Sequence, residues 1–205
     1  MPRIRAENID AHKELTRSQI LETARELFLR DGYAATSPAD IAAVIGIGRT
    51  TMYEYFRDKE AILVILVEES IPRLVREMIA TVPEDLAAGE RLGELIVRTL
   101  EFVADQRNLG TLIMREAPEL SPEAQRRIRA AHQELDLEYH RLCAAGVTSG
   151  QFRALDPAWL GRIVAASAMG AARSLLREPD PKQHLHEAAD TLIAVLLSGI
   201  TAPRR

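Results

Sequence analysis

The 205-residue sequence predicts an all-α protein: a three-helix helix-turn-helix domain over residues 1–60, then a helical bundle over residues 61–205. Three observations carry this. Thr36 to Glu60 reads as two short helices meeting at a tight, glycine-rich turn. Apolar residues recur at helical spacing along most of the remaining chain. Cap signals at Asp58, Ser121-Pro122-Glu123 and Asp156-Pro157 restart helices after breaks.

In chain order, residues 1–14 lack an apolar period but carry Arg3, Arg5 and Lys13, and two readings stand open: a frayed terminus, or a basic arm touching phosphate or the minor groove. Ile20, Ala24, Leu27 and Phe28 form the first stripe, with Thr16 and Gln19 as a capping box and Asp31-Gly32 as a stop. In the next helix Ser37 caps, Pro38 fits the first position, and Ile41, Ala42 and Ile45 face inward up to Gly46. Arg49 to Phe56 follows, with Met52 and Phe56 inward and Arg49, Thr50, Tyr53 and Glu54 outward. These stripes make one small core.

Asp58 caps a helix from Lys59 to about Thr81 that contains Pro72, so a kink or break is expected between Val67 and Ile71. Such a bend can be structural only, or can pass motion from the second domain to the first. Leu92, Leu95, Ile96, Leu100 and Val103 give the next stripe, Thr111 to Glu116 a short segment, and Ser121 to Ala145 one long helix with a charged face. After a loop at Gly146 to Asp156, the stretch Pro157 to Arg177 contains a run of small residues from Val164 to Ala172, and Lys182 to Ser198 closes the chain. Two final helices of this kind suggest a self-complementary four-helix interface between two subunits, the other reading being ordinary core.

Composition narrows the function classes. No apolar run approaches the roughly 18 residues of a membrane span and no signal peptide is present, so a cytoplasmic location without membrane association is expected. The single cysteine, Cys143, excludes an internal disulfide and reads as buried and structural. The formal charge is −4, and the first 60 residues hold nine Lys/Arg against ten Asp/Glu, so nucleic-acid binding has to come from the placement of charge. No nucleophile or acid/base set has convincing spacing, so no enzyme and no cofactor is expected. His132, Asp136 and His140 align on one face of the predicted long helix; this permits a metal but suits a solvated charged face better, and no metal site is assigned. His184 and His186 sit two apart and point different ways.

Gly32-Tyr33, Thr36, Asp40-Ile41-Ala42, Gly46, Thr51-Met52-Tyr53, Tyr55-Phe56 and Lys59-Glu60-Ala61, matching in register, resemble the signature of the tetracycline-repressor (TetR) family. The signature covers the first third of the chain. The resemblance implies a DNA-binding transcriptional regulator, by default a repressor. It further implies a homodimer through the last two helices that binds a palindromic double-stranded operator and is released by a small-molecule effector. The second domain would then bind the effector and dimerise.

A short polar, basic and tyrosine-bearing face on the second helix of such a motif suits the major groove. Tyr53 faces outward, where its hydroxyl can reach phosphate while its ring covers sugar, the other reading being a surface tyrosine packed on the first helix. Arg49 can bind phosphate or take guanine O6 and N7, and Thr36 and Ser37 can offer hydroxyl and N–H groups at a helix amino end. The resemblance adds Gly48, Thr50, Thr51, Tyr55 and Lys59 as contacts. Gly48 stands where the family often places a capping serine, and Glu54 where it often has a histidine or another neutral residue. Glu54 can be repelled by phosphate, accept from a cytosine amino group, or pair with Arg57. For an effector pocket, Met78, Phe102, Met114, Tyr139 and Trp159 are the candidate walls, the other reading of each being plain core. Two rival classes stand beside this reading: a helical interaction protein whose helix-turn-helix no longer binds DNA, and a metal-binding helical protein.

Overall fold

The computed structural model describes residues 2–201, without the side chains of residues 2–8 and 107. These residues form helices α1 (Pro2–Arg30), α2 (Pro38–Ile45), α3 (Arg49–Tyr55), α4 (Lys59–Ile79), α5 (Ala88–Asp105), α6 (Arg107–Glu116), α7 (Pro122–Ala131), α8 (Gln133–Thr148), α9 (Pro157–Leu175) and α10 (Pro181–Ile200). A single 3₁₀ turn, Ala117–Glu119, lies between α6 and α7. By internal contacts the chain divides into two compact units, one holding the chain through Glu69 with Arg115–Ile128, the other Ser70–Met114 with Arg129 onward.

In the first unit, α1 packs on α2 and α2 on α3. Ile20, Ala24, Leu27 and Phe28 of α1 are buried, as are Ile41, Ala42, Met52 and Phe56, whereas Ile45 is only half-buried. Helix α1 begins at Pro2, well before the expected start. Thr16 is therefore not a cap: its hydroxyl donates back one turn to the carbonyl of His12 at 2.9 Å inside a continuous helix. The upstream residues are mostly strong helix formers, which is why the helix runs on. Residues 9–15 are all exposed, Lys13 among them, and Arg3 and Arg5 lie outside the described side chains.

Other breaks follow local chemistry. Asp58 Oδ1 accepts the Ala61 N–H at 2.7 Å and starts α4 as expected. Pro72 lies inside α4 without ending it, and its ring nitrogen cannot donate to the Glu68 carbonyl one turn earlier. The expected long helix from Ser121 is two helices, α7 and α8, parted at His132 (φ −96°, ψ 0°). Arg129 in the last turn of α7 and Glu134 and Asp136 in the first turn of α8 suit a carboxyl end followed by an amino end, which favours two termini at that point. His132 thus stands at the break as the N-cap of α8, and Asp136 still feels the charge of both His132 and His140. Among the described residues no group of three or more His, Cys, Asp or Glu is arranged to hold a metal ion.

The second unit is built around α5, which packs against α8, α9 and α10, with α8 also on α9 and α9 on α10. Leu92, Leu95, Ile96 and Leu100 of α5 are fully buried. Asp156 caps α9 through N–H bonds from Ala158 and Trp159 at 2.8 and 3.1 Å. Helices α8 and α9 come closest where Gly161 meets His140: a methyl group on Gly161 would sit 2.0 Å from His140 Cδ2 and 2.8 Å from its Cα. Beyond α8, Phe152 lies over Gly146, and the Arg153 N–H donates to the Ile200 carbonyl at 2.7 Å. The expected loop is thereby tied to the end of α10 through a bridge between Phe152 and Thr201.

Candidate nucleic-acid interface

The reading element is built from local rules. Ser37 and Asp40 make a reciprocal capping box: Ser37 Oγ accepts the Asp40 N–H at 3.3 Å, and the Ser37 N–H donates to Asp40 Oδ2 at 2.8 Å. The Ser37 hydroxyl also donates to that carboxylate at 2.6 Å, and these bonds hold Asp40 below the usual carboxylate range. Gly46 then takes the left-handed conformation (φ 76°, ψ 27°) that ends α2, its N–H donating to the Ala42 carbonyl. Gly48 is the N-cap of α3 in an extended conformation and supplies no side-chain cap.

Helix α3 is anchored by Met52, fully buried, and by Phe56 at its carboxyl end. Opposite them, Arg49, Thr50, Tyr53 and Glu54 are exposed, Tyr53 to 54%. A seven-residue helix thus turns four polar or amphipathic side chains to solvent as one patch, the form a groove-reading helix needs. Thr51 and Tyr55 are half-buried, and Tyr55 lines a cleft with Arg17, Arg57, Ala61 and Arg127.

Three expected contacts prove to be engaged within the chain. Thr36 is buried, its hydroxyl donates to the Gly32 carbonyl at 2.9 Å, and its N–H donates to the Tyr33 carbonyl at 3.3 Å. With its donors turned inward it has none to offer a phosphate. Ser37 spends its hydroxyl proton on Asp40. Lys59 Nζ donates to the carbonyls of Tyr33, Ala34 and Thr36 at 2.9, 3.2 and 3.4 Å and stands 4.5 Å from the Tyr33 ring centre. Lys59 therefore closes the connection between α1 and α2 onto the start of α4. Tyr33 packs edge-on against Phe28, and burial pushes its phenol up to about 12.

Arg57 does not pair with Glu54. Its Nε meets Asp58 Oδ2 at 3.1 Å. Around the same unit, Arg17 pairs with Glu69, Arg127 grips both carboxylate oxygens of Glu68 at 2.7 and 2.5 Å, and Glu60 accepts the N–H and hydroxyl of Ser121 at 2.9 and 2.5 Å. These partners are about 50 to 60 residues apart in sequence, beyond any helical period.

In the second unit the five expected pocket walls do not share one environment. Tyr139 is fully buried and shares a 2.8 Å hydrogen bond with Thr99 Oγ1; because Thr99 donates to the Leu95 carbonyl at 2.7 Å, the phenol is assigned as the donor. Met78 is buried, Phe102 and Met114 are half-buried, and Trp159 is 61% exposed with Arg162 over its ring. Trp159 is thus not a wall within this unit, because α9 turns it outward. Between α9 and α10 lies an open groove of about 620 Å³, lined by Ser167, Ala171, Leu175, Ala188, Leu192 and Val195 and by none of the five. Cys143 is buried, and burial pushes its thiol up to about 11.

Comparison with known proteins places this geometry. Residues 20–65 match the family model described as bacterial regulatory proteins, tetR family, and residues 85–200 match one described as tetracyclin repressor-like, C-terminal domain. The fatty acid metabolism regulator protein of Bacillus subtilis (strain 168) is 24% identical over 182 residues, which are 89% of this chain and 94% of that protein. A transcriptional regulator of the TetR/AcrR family from Thermobifida fusca is 29% identical with a TM-score of 0.69, covering 93% of this chain and 99% of its own. FadR from Bacillus subtilis, solved in complex with stearoyl-CoA, shares the fold at 22% identity with a TM-score of 0.73, over 89% of this chain and 98% of its own.

Proposed function

Because the chain belongs to the TetR family of bacterial regulatory proteins, we propose that its first unit reads a palindromic operator and its second unit dimerises and receives a small effector. The observation that carries this is the outward patch of α3, where Arg49, Thr50 and Tyr53 stand exposed on a helix fixed from behind by Met52 and Phe56. Arg49 and Tyr53 are the principal contacts, with Gly48, Thr50 and Thr51 at close approach and Tyr55 at the edge. Ser37 and Lys59 act chiefly by fixing α2 and the connection before it. The proposed functional domains are residues 1–60 and 61–205, whereas the compact units divide the chain differently, with residues through Glu69 and Arg115–Ile128 in the first.

Dimerisation uses α9 and α10. Trp159, Ile163 and Val195 are large apolar side chains left 55% exposed or more on these two helices, and a second copy would cover them. The protein is a cytoplasmic regulator without a catalytic step, and repression is the default mode. Effector binding favours a conformer whose two heads no longer match successive major grooves. Met78, Phe102 and Met114 are the side chains kept as candidates for the effector site. Acyl-CoA compounds are the first class to try, since a relative aligned over nearly its whole length is named for fatty acid metabolism and a protein of the same fold was solved with stearoyl-CoA.

Selection of genomic fragments by the purified protein tests the proposal. Enrichment of a palindrome by the parent protein, abolished in Arg49→Ala and Tyr53→Ala variants that keep their helical circular dichroism, is the expected result. A folded parent dimer that enriches no site at low salt would overturn it in favour of an interaction protein.

A further inference from the structure

The one acidic side chain on the reading patch is Glu54, four residues after Thr50 and so on the same face of α3. An exposed helical glutamate commonly neutralises itself against a nearby cation, and two cations follow at once in the sequence. Neither is available. Arg57 is held by Asp58 at 3.1 Å, and the Lys59 ammonium is turned onto three backbone carbonyls of the connection before α2. Glu54 is exposed and takes part in no ion pair or side-chain hydrogen bond among the described residues. Its carboxylate is presented to whatever the patch meets.

In a major groove that presentation is discriminating. Phosphate oxygens repel a carboxylate, and guanine O6 and N7, adenine N7 and thymine O4 are acceptors that repel it too. The donors on the groove floor are the amino groups, cytosine N4 and adenine N6, and adenine sets its N7 acceptor beside the amine. Cytosine offers the donor without that neighbour. We propose, resting on the operator-binding reading above, that Glu54 is a sequence-determining residue whose carboxylate accepts a hydrogen bond from cytosine N4 at one position of each operator half-site. Glu54 costs affinity on every other base at that position and so works as much by exclusion as by attraction.

The test is selection from random double-stranded DNA by the full-length parent, Glu54→Ala and Glu54→Gln proteins, each checked for its helical spectrum. The parent should enrich a palindrome with C·G fixed at one symmetric pair of positions, by about tenfold over other pairs. In Glu54→Ala that preference should vanish while the rest of the palindrome persists. In Glu54→Gln it should move toward A·T, because an amide can bind adenine N6 and N7 together. Three palindromes that superpose, with affinity shifted equally for all sites, would overturn the assignment and leave the operator-binding reading intact. No palindrome from the parent would overturn that reading, and the assignment with it.

Discussion

At the scale of single residues, the interior polar pair of the second unit shows how a hydroxyl is satisfied inside an apolar core. Tyr139 donates to Thr99, and Thr99 passes its own proton to the Leu95 carbonyl. The two residues are therefore not equivalent. Tyr139→Phe removes one donor and leaves Thr99 bonded, so a loss of about 1 kcal/mol is expected. Thr99→Val leaves the phenol, fully buried, with only the Leu95 carbonyl at 3.5 Å, so about 2–3 kcal/mol should be lost. Urea denaturation of both variants checks the order, and equal losses would refute this donor assignment. Burial also pushes the pKa of the Tyr139 phenol up, so its hydroxyl stays protonated throughout the ordinary pH range.

Among the elements, α8 and α9 owe their close crossing to a missing side chain. Gly161→Ala would ordinarily gain about 1 kcal/mol of helix propensity. Here the new methyl meets the His140 backbone at 2.8 Å, which cannot step aside as a flexible side-chain tip could. The clash should win, with a net loss of about 1–3 kcal/mol in thermal or urea unfolding. The start of α7 gives a pH prediction. Glu60 is held below the usual carboxylate range by the hydroxyl and N–H of Ser121. A depressed carboxylate contributes stability above its unfolded pKa and loses it as pH falls through the folded value. The parent should lose more stability than Glu60→Gln on acidification from pH 5 to pH 3, and parallel curves would refute the contribution.

The same elements show what can be read without coordinates. Helix starts at Ser37-Pro38, Asp58 and Asp156-Pro157 were legible because a cap is a rule over three or four neighbours. The outward set on α3 was legible because Met52 and Phe56 fix the helical phase. Thr16 misled for the same reason, since Thr-x-x-Gln meets the local rule inside a helix that began earlier. The break at His132 carries neither glycine nor proline, and only the charges around it mark the two ends. The inward turn of Thr36 and the reach of Lys59 across 23 to 26 residues depend on tertiary approach, which spacing along one strand of sequence cannot show.

For the whole molecule, the charge of −4 and the pairing of its cations bear on how operator binding responds to salt. Among the described side chains through Glu69, Arg17, Arg25, Arg30 and Arg57 form ion pairs, whereas Lys13, Arg49 and Lys59 do not, Lys59 being turned onto backbone carbonyls. If each head neutralises one or two phosphates, log affinity should fall with log salt at a slope of roughly −2 to −4 for the dimer. A slope near −8 would mean that the paired arginines swing onto the DNA. Fluorescence anisotropy across a salt series measures it. The glycines of α9 carry a different lesson. Gly161 faces His140, but a methyl group on Gly170 would meet nothing within 4 Å. In a saturation library scored once for folded protein and once for regulation, Gly161 would be intolerant in both screens. If α9 and α10 form the proposed dimer face, Gly170 would accept bulky residues in the first and reject them in the second. The first glycine is demanded by the chain's own packing, and the second, on that proposal, by the company the chain keeps.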